Sequence, residues 1–203
     1  VVDDRDLSRS ELRKIEFEQR IAKAAIELFG ELGVNETPIT AIIKKAGVAH
    51  KTFFNHFPSK THLLFYIARL YAGSSDDIFL QAHKKDIDAF SKLEMSFMQI
   101  AEGILLLEQH DLSVFKHIIT GVQLGPENSK ITQLNKLRVA ISRILNEGRD
   151  QGQLQPGIDF DTYVEMICDL FIATMLIFAS QTDYPLVPKM RKTLQFIKHS
   201  IFI

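Results

Sequence analysis

Apolar side chains recur at intervals of three and four residues along this chain, and no stretch of any length alternates apolar with polar as a half-buried strand would. Ile15, Ala22, Ala25, Phe29 and Leu32 form one such series, Leu63, Ile67 and Leu70 a second, and Phe90, Leu93, Phe97, Ile100, Ile104 and Leu107 a third. A period near 3.6 places each series on one face of a helix. The chain is therefore expected to be all-α, with about nine helices. Its 203 residues, 46% of them apolar, suffice to bury a continuous core and exclude intrinsic disorder.

Local signals set the boundaries. Ser8 followed by Glu11 matches a capping box and opens a first helix from about Arg9 to Leu32, closed by Gly33. Thr37 before Pro38 reads as an N-cap with proline at the first helical position, starting a short helix through Ile39, Ile42, Ile43 and Ala46 that ends at Gly47. A third helix covers Ala49 to about Phe57. Pro58 disfavours helical backbone before it, and Ser59 is a fresh N-cap. Further breaks are expected at Gly73-Ser74-Ser75, around His110-Asp111, at Gly125-Pro126, across Gly152 to Asp159, and at Tyr184-Pro185 with Pro188. An arm and three-helix domain over residues 1–58 and a helical domain over 59–203 follow from this punctuation.

Charge is distributed unevenly. The formal net charge of −1 suggests no nucleic-acid partner, yet Thr37 to Ser75 contains no Asp or Glu while holding Lys44, Lys45, Lys51, Lys60 and Arg69, with His50, His56 and His62. Such asymmetry marks an interaction surface or a solvated face by chance, and charge alone does not separate the two. The single cysteine, Cys168, rules out an intrachain disulfide and suits a reducing, cytoplasmic setting. No signal-peptide pattern is visible in Val1 to Ser10, which reads as a mobile arm from which Arg5 and Arg9 could reach DNA. The longest apolar run, Met166 to Ala179, is 14 residues and contains Asp169, short of the roughly 20 that a bilayer requires. A buried helix and no membrane contact are expected.

Helix, glycine turn and helix between Ile39 and Phe57 form the pattern of a helix-turn-helix. Gly47 supplies the turn, Val48 and Phe53 can lock the helices together, and Lys51, Thr52, Asn55 and His56 are left for DNA, with Lys44, Lys45 and Lys60 facing phosphates. The run Ile42-Ile43-Lys44-Lys45-Ala46-Gly47-Val48, then Thr52-Phe53-Phe54-Asn55-His56-Phe57, then Lys60 and Leu63-Leu64 resembles the signature of the TetR family of bacterial transcriptional regulators. The resemblance spans roughly residues 13–67. Gly152-Gln153-Leu154-Gln155-Pro156 is similar to the loop before the penultimate helix of that family. The resemblance implies a homodimer reading half-sites of a pseudo-palindromic operator in double-stranded DNA. By position, Thr40, His50, Lys51 and Thr52 would approach bases, while Phe54, His56 and Lys60 would meet the backbone. Phe54 replaces the family's usual tyrosine, losing a phenolic hydrogen bond to phosphate. Lys51 stands where small or uncharged residues are common, and reads guanine or holds a phosphate.

The resemblance also implies a small-molecule effector in the C-terminal body and a dimer interface within residues 159–203. Met95, Phe97, Met98, Phe115, Met166, Phe171, Met175 and Phe178 could line an effector pocket, although such stripes more often fill a core. Asp169 among apolar neighbours is costly to bury unpaired, so it faces ligand, dimer seam or water. The Leu194, Ile197 and Ile201 stripe is expected to join Tyr163 to Ala179 in a symmetric four-helix interface. No GxSxG, Walker or GxGxxG motif is present, and no catalytic residue or cofactor is expected. Asp159 and Asp161 flank a helix start, where capping explains them. Glu108, His110, Asp111 and His117 have no recognised metal-ligand spacing, so no metal is expected. The leading expectation is a repressor released by a small apolar or amphipathic effector. An activator or nucleoid-associated protein of the same fold, and a helical hydrolase or carrier without a DNA role, are the alternatives.

Overall fold

A computed structural model of the chain describes the backbone of residues 8–107, 109–122 and 127–203, and side chains throughout these except at 69, 72–74, 109, 110 and 121–134. Arg5, Glu108, the His110 side chain and the expected break at Gly125-Pro126 lie outside the described residues. The described residues form nine helices: α1 (Arg9–Leu32), α2 (Ile39–Ala46), α3 (His50–His56), α4 (Lys60–His83), α5 (Ala89–Leu105), α6 (Gln109–Val122), α7 (Glu127–Asp150), α8 (Phe160–Ser180) and α9 (Leu186–Ile201). Two compact units emerge. One holds residues through Ala68 and the segment ending at Val114; the other holds 69–107 and 115–203.

The first unit is built on α1, α2 and α3. Ser8 and Glu11 form the expected reciprocal capping box at the start of α1. Ile21, Ala25, Phe29, Ile42, Phe53, Leu63 and Ile67 fill the core, each at most 1% exposed. Burying one such large side chain contributes about 1.5–3 kcal/mol. Gly47 ends α2 in the left-handed region, at φ 60° and ψ 40°, and its N–H returns to the carbonyls of Ile43 and Lys44. Thr37 departs from expectation. Pro38 occupies the N-cap position of α2 without a side-chain cap, whereas the fully buried Thr37 hydroxyl donates to the Leu28 and Gly33 carbonyls at 3.2 and 2.7 Å. The hydroxyl therefore serves the end of α1 and caps no N–H of α2.

In the second unit α5 packs against α7 and α9, α7 against α8, and α8 against α9. Gly73-Ser74-Ser75 does not break α4, which continues to His83. Buried Phe79 and Ala82 keep its later turns packed, and that tertiary burial overrides weak local propensity. Pro188 is likewise tolerated inside α9, in its first turn, where its missing N–H has no intrahelical acceptor to lose. The loop between α7 and α8 is tied to the end of the chain. Gln155 N–H donates to Ile201 O, Ile203 N–H donates to Gln153 O, both at 2.9 Å, and the Tyr163 hydroxyl donates to Gln155 O at 2.8 Å.

One expectation of packing is overturned here. Leu194, Ile197 and Ile201 are all buried within one chain, where α9 lies against α5 and α8, so this stripe is not the dimer surface. Tyr163 is buried in the same way. Periodicity shows that a face is covered but not by what. Among the described residues α8 alone is long and apolar enough to cross a membrane by length and composition. Its packing on α7 and α9 accounts for one side of it, and Met166 and Ile177 remain exposed on the other.

Candidate nucleic-acid interface

The turn at Gly47 sets α3 across α2, with Phe53 and Phe57 directed into the core and the opposite side of α3 left open. His50, Lys51 and Asn55 are exposed on that side, with Phe54 half-buried beside them. Positions i, i+1, i+4 and i+5 share one helix face. The His50 and Phe54 rings lie 4.7 Å apart, and Phe54 meets Phe53 edge-on at 5.2 Å. Phe54 is thus anchored to the core and brings no hydroxyl to the surface. Thr52 is half-buried. Thr40 and Lys44, four residues apart on α2, are exposed. Lys44 and Lys51 make no ion pair among the described residues.

Three other residues expected to contact DNA are already engaged within the protein. Lys45 Nζ lies 3.0 Å from Glu27 Oε2 and 3.7 Å from Glu31 Oε1 on α1. The hydrogen bond to Glu27, aided by both charges, raises the Lys45 pKa. Lys60 Nζ donates to the carbonyls of Val34 and Asn35 at 2.9 and 3.1 Å, satisfying backbone acceptors in the link between α1 and α2. His56 Nδ1 is 3.3 Å from Glu18 Oε1, and its ring stands 6.0 Å from that of Phe17. For these three the geometry shows bracing of the reading unit, a role that the sign of their charge could not reveal. The acidic partners lie on α1, outside the carboxylate-free window.

The residues expected to line an effector pocket divide. Phe97, Met98, Phe115, Met175 and Phe178 are buried, and Met95 and Phe171 are half-buried. Phe97 anchors an aromatic cluster, 5.8 Å from Phe79 and 4.4 Å from Phe171. Met166 and Asp169 instead lie on the exposed side of α8, apart from this buried cluster, and water is one of the placements the sequence left open for Asp169. Asp169 pays no burial penalty there. Cys168, one residue earlier, is turned inward, and burial pushes its thiol up to about 11, which makes it a poor nucleophile. Asp159 caps α8 by accepting from Thr162 N–H at 3.0 Å, and its contacts with Thr162 hold its carboxyl below the usual range. No group of three potential metal ligands occurs among the described residues.

A network absent from the sequence reading joins three helices of the second unit. Lys92, only 6% exposed, donates to His83 O at 3.1 Å and to the Glu147 carboxylate, whose other oxygen lies 2.7 Å from His83 Nδ1. A lysine within an apolar stripe was the available signal.

Residues 21–67 match the model of bacterial regulatory proteins, tetR family. A fatty acid metabolism regulator protein of Bacillus subtilis is 26% identical over 155 residues, covering 73% of this chain and 76% of the relative. Among solved structures, Thermus thermophilus FadR, a TetR-family repressor in complex with lauroyl-CoA, superposes with a TM-score of 0.68 at 26% identity, covering 92% of this chain and 95% of that one. FadR of Bacillus subtilis in complex with stearoyl-CoA shares the fold at a TM-score of 0.73 and 21% identity, over 88% and 96% of the two chains.

Proposed function

We propose that this chain, which belongs to the tetR family of bacterial regulatory proteins, is a cytoplasmic homodimeric repressor whose operator is released by a fatty-acyl thioester of coenzyme A. The observation that carries the DNA-binding part is the open face of α3. His50, Lys51 and Asn55 stand exposed beside Thr40 and Lys44 of α2, in a stretch without a single carboxylate. An exposed helix of this kind fits the major groove, where lysine and asparagine can donate to base edges or phosphates. Two copies would read half-sites about 34–36 Å apart on a pseudo-palindromic operator.

The effector class rests on the relatives. The T. thermophilus protein was solved with lauroyl-CoA and is similar over nearly the whole of both chains. The second unit holds an apolar aromatic cluster of Phe79, Phe97 and Phe171 in its interior, whose chemistry matches that of an acyl chain. An effector displaces the operator only through unequal affinity for the DNA-competent and incompetent states of the dimer. The activity is binding throughout, with no chemical step.

Fluorescence anisotropy on an operator recovered by selection from random DNA tests both parts. Specific binding that weakens steeply with salt, and release by lauroyl-CoA but not by free coenzyme A, is the expected result. Binding indifferent to sequence and salt overturns the DNA reading. Operator retention at saturating concentrations of lauroyl-CoA and stearoyl-CoA overturns the effector class alone.

A further inference from the structure

The bracing of His56 uses one ring nitrogen and leaves the other open. Nδ1 stands 3.3 Å from Glu18 Oε1 of α1, and the two side chains are only 14% and 15% exposed. Nε2 has no hydrogen-bond partner among the described residues and is not a buried atom, so it opens to solvent. His56 is the last residue of α3, one position beyond the exposed Asn55. A helix laid in the major groove has its ends beside the phosphate backbones that wall the groove.

Glu18 decides the state of this ring, because no other carboxylate among the described residues comes within ion-pair distance of His56. On α1, Phe17 faces the ring at 6.0 Å, with the Arg20 guanidinium over Phe17 at 4.9 Å. Lys14 Nζ approaches the same Glu18 oxygen at 3.9 Å while staying 65% exposed. On α2, Lys45 is held by Glu27 and Glu31, and Lys44 is exposed. Tyr66 of α4 meets Phe57, the next residue after His56, edge-on at 5.3 Å.

A carboxylate only accepts hydrogen bonds, so the Nδ1 that meets Glu18 carries a hydrogen. In the neutral ring Nε2 then holds a lone pair. A phosphate oxygen also only accepts, so the neutral ring sets one lone pair against another and cannot bond to DNA there. With a proton on Nε2 the imidazolium donates from both nitrogens, to Glu18 on one side and to phosphate on the other, and separates two anions. Glutamine at position 18 would lift the constraint, because its amide can donate to Nδ1 and leave the hydrogen of a neutral ring on Nε2. We propose that Glu18 is a positioning residue for operator binding: it holds a hydrogen of His56 on Nδ1, so that the contact of Nε2 with a DNA phosphate forms only with uptake of one proton from solvent per protomer.

This inference rests on the reading of α3 as the DNA-reading helix, and operator affinity of the full chain measured against pH separates the two. Proton uptake on binding makes affinity greatest at low pH and lowers it as pH rises, by up to about tenfold per pH unit for each proton taken up. Between about pH 6.5 and about pH 8, at constant ionic strength, wild type should lose at least about tenfold more affinity than Glu18→Gln or His56→Gln. Other histidines, His50 among them, contribute equally to all three proteins and cancel in the comparison. Circular dichroism at both pH values checks that each variant is folded. Nitrogen-15 spectra of histidine-labelled wild type on the operator read the ring directly, with the His56 signals assigned by their absence from His56→Gln, and both ring nitrogens should be protonated in the complex. Equal losses in all three proteins, a steep loss that persists in Glu18→Gln, or a neutral His56 ring in the complex overturns the role of Glu18. A wild type that selects no DNA sequence at any of these pH values overturns the reading of α3 itself.

Discussion

The ammonium of Lys45 lies 3.0 Å from the carboxylate of Glu27, so a lysine in the carboxylate-free window is spent on holding α2 to α1. Lys44, its neighbour in sequence, is exposed and unpaired among the described residues. The two should separate in a salt titration of operator binding. Each lost phosphate contact lowers the slope of log affinity against log salt by about 0.9. Lys44→Ala, which removes one contact from each half of the dimer, should lower the slope by about 1.8, while Lys45→Ala should keep the wild-type slope. Equal slope losses would mean that Lys45 abandons Glu27 for DNA.

The Thr37 hydroxyl bridges two carbonyls that no other side chain reaches among the described residues. Thr37→Val keeps the shape of the side chain and removes the donor. The Gly33 carbonyl keeps the residue 37 N–H, so losing the hydroxyl should cost about 0.5–1.5 kcal/mol, read as a lower urea midpoint with an unchanged m-value. No drop in the midpoint, or a rise, would show that the hydroxyl contributes nothing there.

Thr37 also marks the boundary between what local sequence specifies and what it leaves to packing. Ser8, Gly47 and Ser59 act through atoms within five residues, and the helix ends they define are where the sequence places them. Thr-Pro carried an equally good local signal, but the Leu28 carbonyl lay nine residues back and could not be read from it. The same reason explains Lys45, Lys60 and His56, whose charge was legible while their partners on α1 and its following loop were not. The apolar stripe of α9 was legible as a stripe, and only the placement of α5 and α8 decided that it closes within one chain. Which side of α8 faces outward was not legible for the complementary reason, since α8 is apolar around most of its circumference and its composition does not say where Met166 and Asp169 lie.

Burial sets the chemistry of Cys168. With its thiol pushed up to about 11, a hundredfold less thiolate forms at pH 8 than for a thiol of pKa about 9, and the packing blocks approach as well. Labelling by a disulfide reagent at pH 8 should be slower than in the unfolded chain by about two orders of magnitude or more. The sign of the linked stability follows. Because the folded value is raised, the fold favours the protonated thiol, and this contribution is intact below the unfolded pKa and lost as pH rises through it toward about 11. Replacing Cys168 by Ala should flatten the decline in stability over that alkaline window. Rapid labelling of the native protein at pH 8 would contradict the buried placement.

Gly47 and Gly148 should both resist alanine, for opposite reasons that a double mutant can distinguish. At Gly47 a new Cβ meets nothing within 4 Å, but the backbone stands at φ 60°, where an L side chain is strained. Gly47→Ala should cost about 1–2 kcal/mol, and Gly47→Asn less, because a short polar side chain tolerates the left-handed region. At Gly148 no such strain applies. A Cβ there would stand 2.7 Å from the Ala89 methyl, where α7 approaches the first turn of α5, and neither group is flexible. Overpacking of this kind costs about 1–3 kcal/mol. Removing the Ala89 methyl takes away the overlap, so Ala89→Gly should recover part of the loss caused by Gly148→Ala beyond its own effect on α5. The same second substitution should leave the cost of Gly47→Ala unchanged, since those sites share no neighbour. Urea denaturation of these three single and two paired variants measures the coupling, and additive losses at Gly148 and Ala89 would show that the close approach of α5 and α7 does not hold.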